Sequence, residues 1–221
     1  MDADDHPDGR RARGERTRNQ VLRRAADIAS VEGLDGLTIG RLASELAVSK
    51  SGVFAHFGSK EELQLATIRS ALELFADEVV TPALEAPDGL SRLLALTDRW
   101  IEYAATGVFP GGCFFFSAAA EFDARPGRVR DELARYRRGW LELYESTIRA
   151  AQNLGEIQPD ANPTRLAFEF DALGMAANLH ALLCDDVSIY YEARAAMRDR
   201  LRAIATDPTS VPVPKRSKAR R

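Results

Sequence analysis

Lys50, Ser51 and Gly52 stand together at the start of a short stretch whose apolar residues, Val53 and Phe57, are four apart. On a helix that spacing puts Val53 and Phe57 on one buried face and leaves Lys50, Ser51, Gly52 and Ala55 pointing away. A free face that is small, polar and singly cationic makes no covalent bonds. It can donate hydrogen bonds to base edges and phosphates, and glycine lets a backbone approach a DNA groove closely. Side chains suited to catalysis are sparse. There are three histidines, His6, His56 and His180, and two cysteines, with no paired metal-ligand spacing, nucleotide-binding glycine loop or nucleophile motif. No metal and no cofactor are expected, and a helical enzyme acting on a small aromatic or apolar substrate has little support.

The elements that must position this face are legible on either side of it. Ile39, Leu42, Ala43 and Leu46 recur at three- and four-residue steps, while Arg41, Ser44 and Glu45 fall on the other side, so a short amphipathic helix precedes the turn. Thr38 suits its N-cap, and Ala47, Val48 and Ser49 form the turn into the second helix. Two short helices joined by a tight turn read as a helix-turn-helix. Ser59 and Glu62 then fit a capping box, so a further helix starts at about Lys60. A cation at that N-terminus is disfavoured by the helix dipole; a phosphate neighbour would relieve the misfit, and simple solvation is the alternative.

The stretch from about Arg16 to Leu65, above all V-S-K-S-G-V-F-A-H-F-G-S-K-E-E-L, resembles the DNA-binding domain of the TetR family of transcriptional regulators. The resemblance implies an all-α, dimeric protein with an N-terminal DNA-binding domain and a larger ligand-binding and dimerisation domain. Most members are repressors released by a small molecule. Carried over by position, Arg16, Thr17, Thr38, Ser49, Lys50, Ser51, Gly52, Phe54, His56 and Lys60 are expected at or near double-stranded operator DNA. Phe54 stands where many members have a tyrosine whose hydroxyl reaches a phosphate; here that contact is lost, and the ring either packs on a sugar or thymine methyl or joins the core. His56 is either a phosphate donor or a structural residue ending the recognition helix.

Composition bounds the remainder. A chain of 221 residues with 45% hydrophobic content can bury a sizeable core, and its Ala, Leu, Arg and Glu favour helix. No apolar run approaches the roughly 20 residues that span a bilayer, so no membrane partner and a cytoplasmic location are expected. Cys113 and Cys184 are too few and too far apart for a disulfide framework. Cys113, at an expected helix start, is either a dipole-activated thiol or a small buried residue. The net charge of −3 hides a basic cluster, Arg10, Arg11, Arg13, Arg16 and Arg18, which phosphate neutralisation would reward. Residues 1–14 are expected as a disordered arm, 15–61 as the DNA-binding domain, 62–206 as the ligand-binding and dimerisation domain, and 207–221 as a flexible basic tail.

About nine helices are expected, the first from about Arg16 to Glu32, the fourth from Lys60 to about Val80, where Pro82 ends it, and the eighth from the Asn162–Pro163 cap to about Cys184. On that eighth helix, Phe170, Leu173, Gly174, Ala177 and Ala181 form a stripe with several small residues, expected with His180 as the homodimer interface, the alternative being packing inside the protomer. Upstream the chain is rich in aromatics. Trp100, Tyr103, Phe115 and Tyr144 are expected to wall a pocket for a small-molecule effector, with His180, Asn178 or Glu121 as its polar discriminator. The expected activity is repression relieved by a largely apolar ligand; activation, or repression without a ligand, keeps the same DNA-binding head.

Overall fold

The computed structural model describes residues 7–213, with side chains from Gly14 onward. The side chains of Arg10, Arg11 and Arg13 and the basic stretch from Lys215 to Arg221 lie outside the described residues. The described chain is all-α: α1 (Pro7–Glu32), α2 (Ile39–Glu45), α3 (Lys50–Phe57), α4 (Lys60–Phe75), a π-helical segment (Ala76–Val80), α5 (Thr81–Leu84), α6 (Leu90–Ala105), α7 (Phe114–Phe122), α8 (Arg128–Asn153), α9 (Pro163–Leu183) and α10 (Ile189–Ile204). A 3-10 turn, Pro208–Ser210, follows. With Lys60–Leu84 counted as one interrupted rod, the described residues form nine helices.

Two boundaries differ from expectation. The first helix begins at Pro7 rather than at about Arg16. Pro82 does not end the fourth helix but sits in the first turn of α5, directly after the π-helical segment. A proline ring clashes with the carbonyl four residues back, here that of Glu78, and the wider π turn containing Glu78 accommodates it. Elsewhere the local signals match the ends of the elements. Asn162 Oδ1 caps α9 by accepting from Arg165 N at 3.0 Å, and Pro163 occupies its first turn.

The chain forms two compact units. One runs through Glu73 and takes in Phe109–Leu133; the other comprises Leu74–Val108 and continues from Ala134. The expected division at residue 61 therefore misses a segment, because Phe109–Leu133 packs with the first helices. Within that unit Val21, Leu22, Ala25, Ile28 and Ala29 of α1 are buried with Leu42, Val53, Phe57, Leu63 and Phe114. Gly111 makes the joint possible. A Cβ there would lie 1.9 Å from the Ser30 carbonyl oxygen, and the Gly111 amide donates to Ser30 Oγ at 3.0 Å.

The second unit is built around aromatic rings. Phe75 receives Tyr103, Tyr136 and Trp140 edge-on at 5.3, 5.8 and 5.1 Å between ring centroids. Helix α9 packs against α6 and α10, and Asp98 of α6 is paired with Arg194, at 3.4 Å, and with Arg198 of α10. No helix among the described residues is long and apolar enough to cross a membrane.

Candidate nucleic-acid interface and effector region

Both helices of the motif are capped by the expected hydroxyls. Thr38 Oγ1 accepts from Arg41 N at 3.1 Å, and Ser49 Oγ accepts from Gly52 N at 3.0 Å. Leu42, Ala43, Val53 and Phe57 are buried, Ile39 and Leu46 half-buried. The turn between the helices is closed by Val48 N donating to Ala43 O at 3.0 Å, with Ala47 in the left-handed region at φ 53°. The Arg18 guanidinium lies 5.7 Å over the Phe57 ring and braces α1 on α3.

What α3 leaves in solvent is a continuous face. Lys50, Ser51, Phe54, Ala55 and His56 are all exposed, and Gly52 is half-exposed. Phe54, at 55% exposure, is outside the core, which removes one of its two expected placements. Arg16 is exposed and Thr17 half-buried on α1. Arg41 faces neither core nor open solvent: it bonds Glu32 at 2.5 Å and Glu45 at 3.0 Å, while Arg24 meets Glu45 at 2.5 Å. The guanidinium groups hold both carboxyls below the ordinary carboxylate range and fix α2 against α1.

Lys60 stands differently from its expected place at a phosphate. Its ammonium donates to the Asp35 carbonyl at 2.6 Å and to Asp35 Oδ1 at 2.8 Å, so the misfit at the start of α4 is relieved inside the protein. Arg125 reaches the other oxygen of Asp35 at 2.9 Å, and the two cations hold this carboxyl below its ordinary range. The same turn takes up Glu121. Its carboxylate accepts from Leu34 N at 2.6 Å and Asp35 N at 2.9 Å, and a group with both oxygens so engaged is not a free discriminator for an effector. Arg128, at the start of α8, bonds Glu61 at 3.1 Å and Glu62 at 2.5 Å in the first turn of α4. Glu121 had no local signal to reveal it, because its partners lie more than 80 residues away in the sequence.

The expected pocket residues do not all come together. Phe115 is buried in the first unit, edge-on to Phe114 at 5.3 Å between centroids. Trp100, Tyr103, Tyr144 and Asn178 are buried in the second. There, Tyr144 meets Trp140 edge-on at 4.8 Å and Phe170 at a tilt at 5.9 Å between centroids, and Asn178 Oδ1 accepts from the Tyr190 hydroxyl at 3.3 Å. Trp100 packs against α9 at Gly174, where a Cβ would come within 2.7 Å of the indole.

Sequence reading missed Asp171. Its side chain is 1% exposed; Oδ2 accepts from Arg137 at 2.5 Å, and Oδ1 is buried with no hydrogen-bond partner among the described residues. Burial pushes its carboxyl above the ordinary range while Arg137 pulls the other way, and burial together with Asp171 and Asp98 keeps the Tyr144 hydroxyl protonated. A signal existed: Asp171 is the charged residue inside the otherwise apolar stripe of α9.

That stripe faces inward. Phe170, Gly174, Ala177 and Ala181, expected at a dimer interface, are buried within the protomer, and Leu173 is half-buried. Gly174 admits the protomer's own Trp100 on this side. His180 is exposed, 3.7 Å from Asp186. The opposite side of α9 exposes Phe168, Met175, Leu179, Leu182 and Leu183.

Comparison with known proteins divides the chain in sequence order, with Phe109–Leu133 of the first unit falling inside the C-terminal match. Residues 21–67 match the model "Bacterial regulatory proteins, tetR family", and residues 89–197 match "Tetracyclin repressor-like, C-terminal domain". The HTH-type transcriptional regulator TcmR of Streptomyces glaucescens is 27% identical over 179 residues, 79% of this chain and 76% of its own. A TetR transcriptional regulator from Chloroflexus aurantiacus superimposes with a TM-score of 0.81 at 24% identity, covering 88% of this chain and 98% of that one. AibR, solved with isovaleryl coenzyme A and operator DNA, superimposes with a TM-score of 0.64 at 20% identity over 80% of this chain and 94% of its own. With a DNA-binding and a C-terminal region of one family matched in order along it, the chain belongs to the TetR family of helix-turn-helix, DNA-binding transcriptional regulators.

Proposed function

We propose that the protein is a dimeric repressor that grips operator DNA through the exposed face of α3 in each protomer and is released by a small, largely apolar effector. Lys50 and Ser51 supply the direct contacts of that face, Gly52 the close approach, and Arg16, Thr17 and His56 flanking contacts to the phosphate backbone. Thr38 and Ser49 act through their caps, and Lys60 through the Asp35 turn. A second copy covers the apolar side of α9, so that two recognition helices engage two half-sites about one or more DNA turns apart.

The observation that carries the effector reading is the buried, unpartnered Oδ1 of Asp171 beside an aromatic interior. An effector held by Trp100, Tyr103, Tyr144 and Asn178 and donating one hydrogen bond to Asp171 would satisfy that oxygen. A fold relative, AibR, has been solved with both an acyl coenzyme A and operator DNA, which fits an effector role for this fold. A coupling of about 1–3 kcal/mol between effector and operator suffices for switching. The test is selection of bound duplexes from genomic fragments, followed by a screen for compounds that release them. Asp171→Asn should keep DNA affinity and alter release. Failure to enrich any DNA sequence would sink the DNA reading, and unchanged release by every active compound would remove Asp171 from the effector site.

A further inference from the structure

We propose that Phe54 is a base-reading residue, its ring packing on the C5-methyl group of a thymine in the operator's major groove. The inference rests on α3 being the helix that enters the groove. Phe54 lies three residues after Ser51 and four after Lys50, so the three side chains share one side of α3, while Val53 and Phe57 hold the helix to the core.

Exposure at this position needs a reason, because a phenyl ring left 55% in water gains nothing from it. Among the described residues of the first unit, the exposed large apolar side chains are Phe54 and Val31, and Val31 belongs to the last turn of α1. Phe54 is therefore a single ring on the side shared with Lys50 and Ser51 rather than part of an apolar patch of the kind that docks a protein. A phenyl ring has no atom to hydrogen-bond a phosphate. The apolar group that the major groove offers at base edges is the thymine methyl, and contact with it discriminates T·A from the other pairs.

The experiment uses the full-length protein and a duplex selected from a random library. Each thymine is replaced in turn by uracil, which removes the methyl and keeps the hydrogen-bonding edge. At one position per half-site the wild type should lose about fourfold in affinity, the effect of one buried methyl group. Phe54→Ala should bind the thymine and uracil duplexes alike, and Phe54→Leu should keep part of the preference. Circular dichroism checks that both variants fold, and the exposed position gives no packing reason for them not to. Wild-type indifference to every replacement would overturn the proposal, as would a Phe54→Ala protein with the wild-type ratio of thymine to uracil binding. Lys50→Ala separates this outcome from a wrong choice of helix: if it leaves operator binding unchanged, α3 does not read DNA.

Discussion

The exposed faces of α3 and α9 offer different chemistry. On α3 a lysine, a serine and a glycine accompany one isolated phenyl ring, whereas α9 presents Phe168, Met175, Leu179, Leu182 and Leu183 in succession. The first face suits a polyanion whose grooves carry mixed polar and methyl edges; the second suits an apolar surface like itself. Their dependence on conditions differs accordingly. Phosphate contacts by Lys50 would weaken as salt competes for phosphates, while burial of the α9 side chains against a second copy would not. If the α9 face pairs two copies, that pairing would hold while the strength of DNA binding varies with salt.

The sharpest way to break this contrast is to charge the apolar face. Leu179, 63% exposed, becomes harmless to the protomer but costly to a dimer in Leu179→Glu. Sedimentation should show monomers with unchanged helix content, and operator affinity should fall by about two orders of magnitude or more as each half-site is bound alone. A stable dimer would show that α9 is not the contact. Smaller effects separate the two units. Glu121→Ala strands the amides of Leu34 and Asp35 and should destabilise the first unit by about 1–3 kcal/mol. Gly174→Ala forces a methyl against Trp100 and should cost the second unit about 1–3 kcal/mol. Because Trp100 and Trp140 both lie in the second unit, tryptophan fluorescence should report an earlier melt for Gly174→Ala and less change for Glu121→Ala, which far-UV circular dichroism detects. Last, Ala47→Gly relieves the left-handed backbone of the motif's turn and should stabilise the first unit by up to about 1 kcal/mol, read as a small rise in melting temperature.

These regions also differ in how far the sequence disclosed them. The α2–α3 motif was legible because its determinants are local: Thr38, Ser49 and Ser59 each accept from an amide three residues on, and Val53 and Phe57 set the buried side. Helix α9 was legible as a helix but not in its orientation. It is apolar on both sides, so periodicity cannot say which stripe is the core, and Gly174, one of the small residues that suggested a partner, instead admits Trp100. Lys60 was legible as a helix start, but its tertiary partners and those of Glu121 were not. Their roles rest on contacts with the Leu34–Asp35 turn, formed only after distant segments fold together. The π segment before Pro82 is a milder case: the helix-breaking signal was local, but the wider turn that takes up the proline could not be read from it.

The central claim, that the exposed face of α3 reads DNA, is tested most directly by fluorescence anisotropy with the selected operator and a scrambled duplex across a salt series, for wild type and Lys50→Ala. Wild type should prefer the operator and lose affinity steeply with salt. Lys50→Ala should bind the operator about tenfold or more weakly, with a shallower salt slope. Equal affinity, equal discrimination and an equal slope for the two proteins would contradict it.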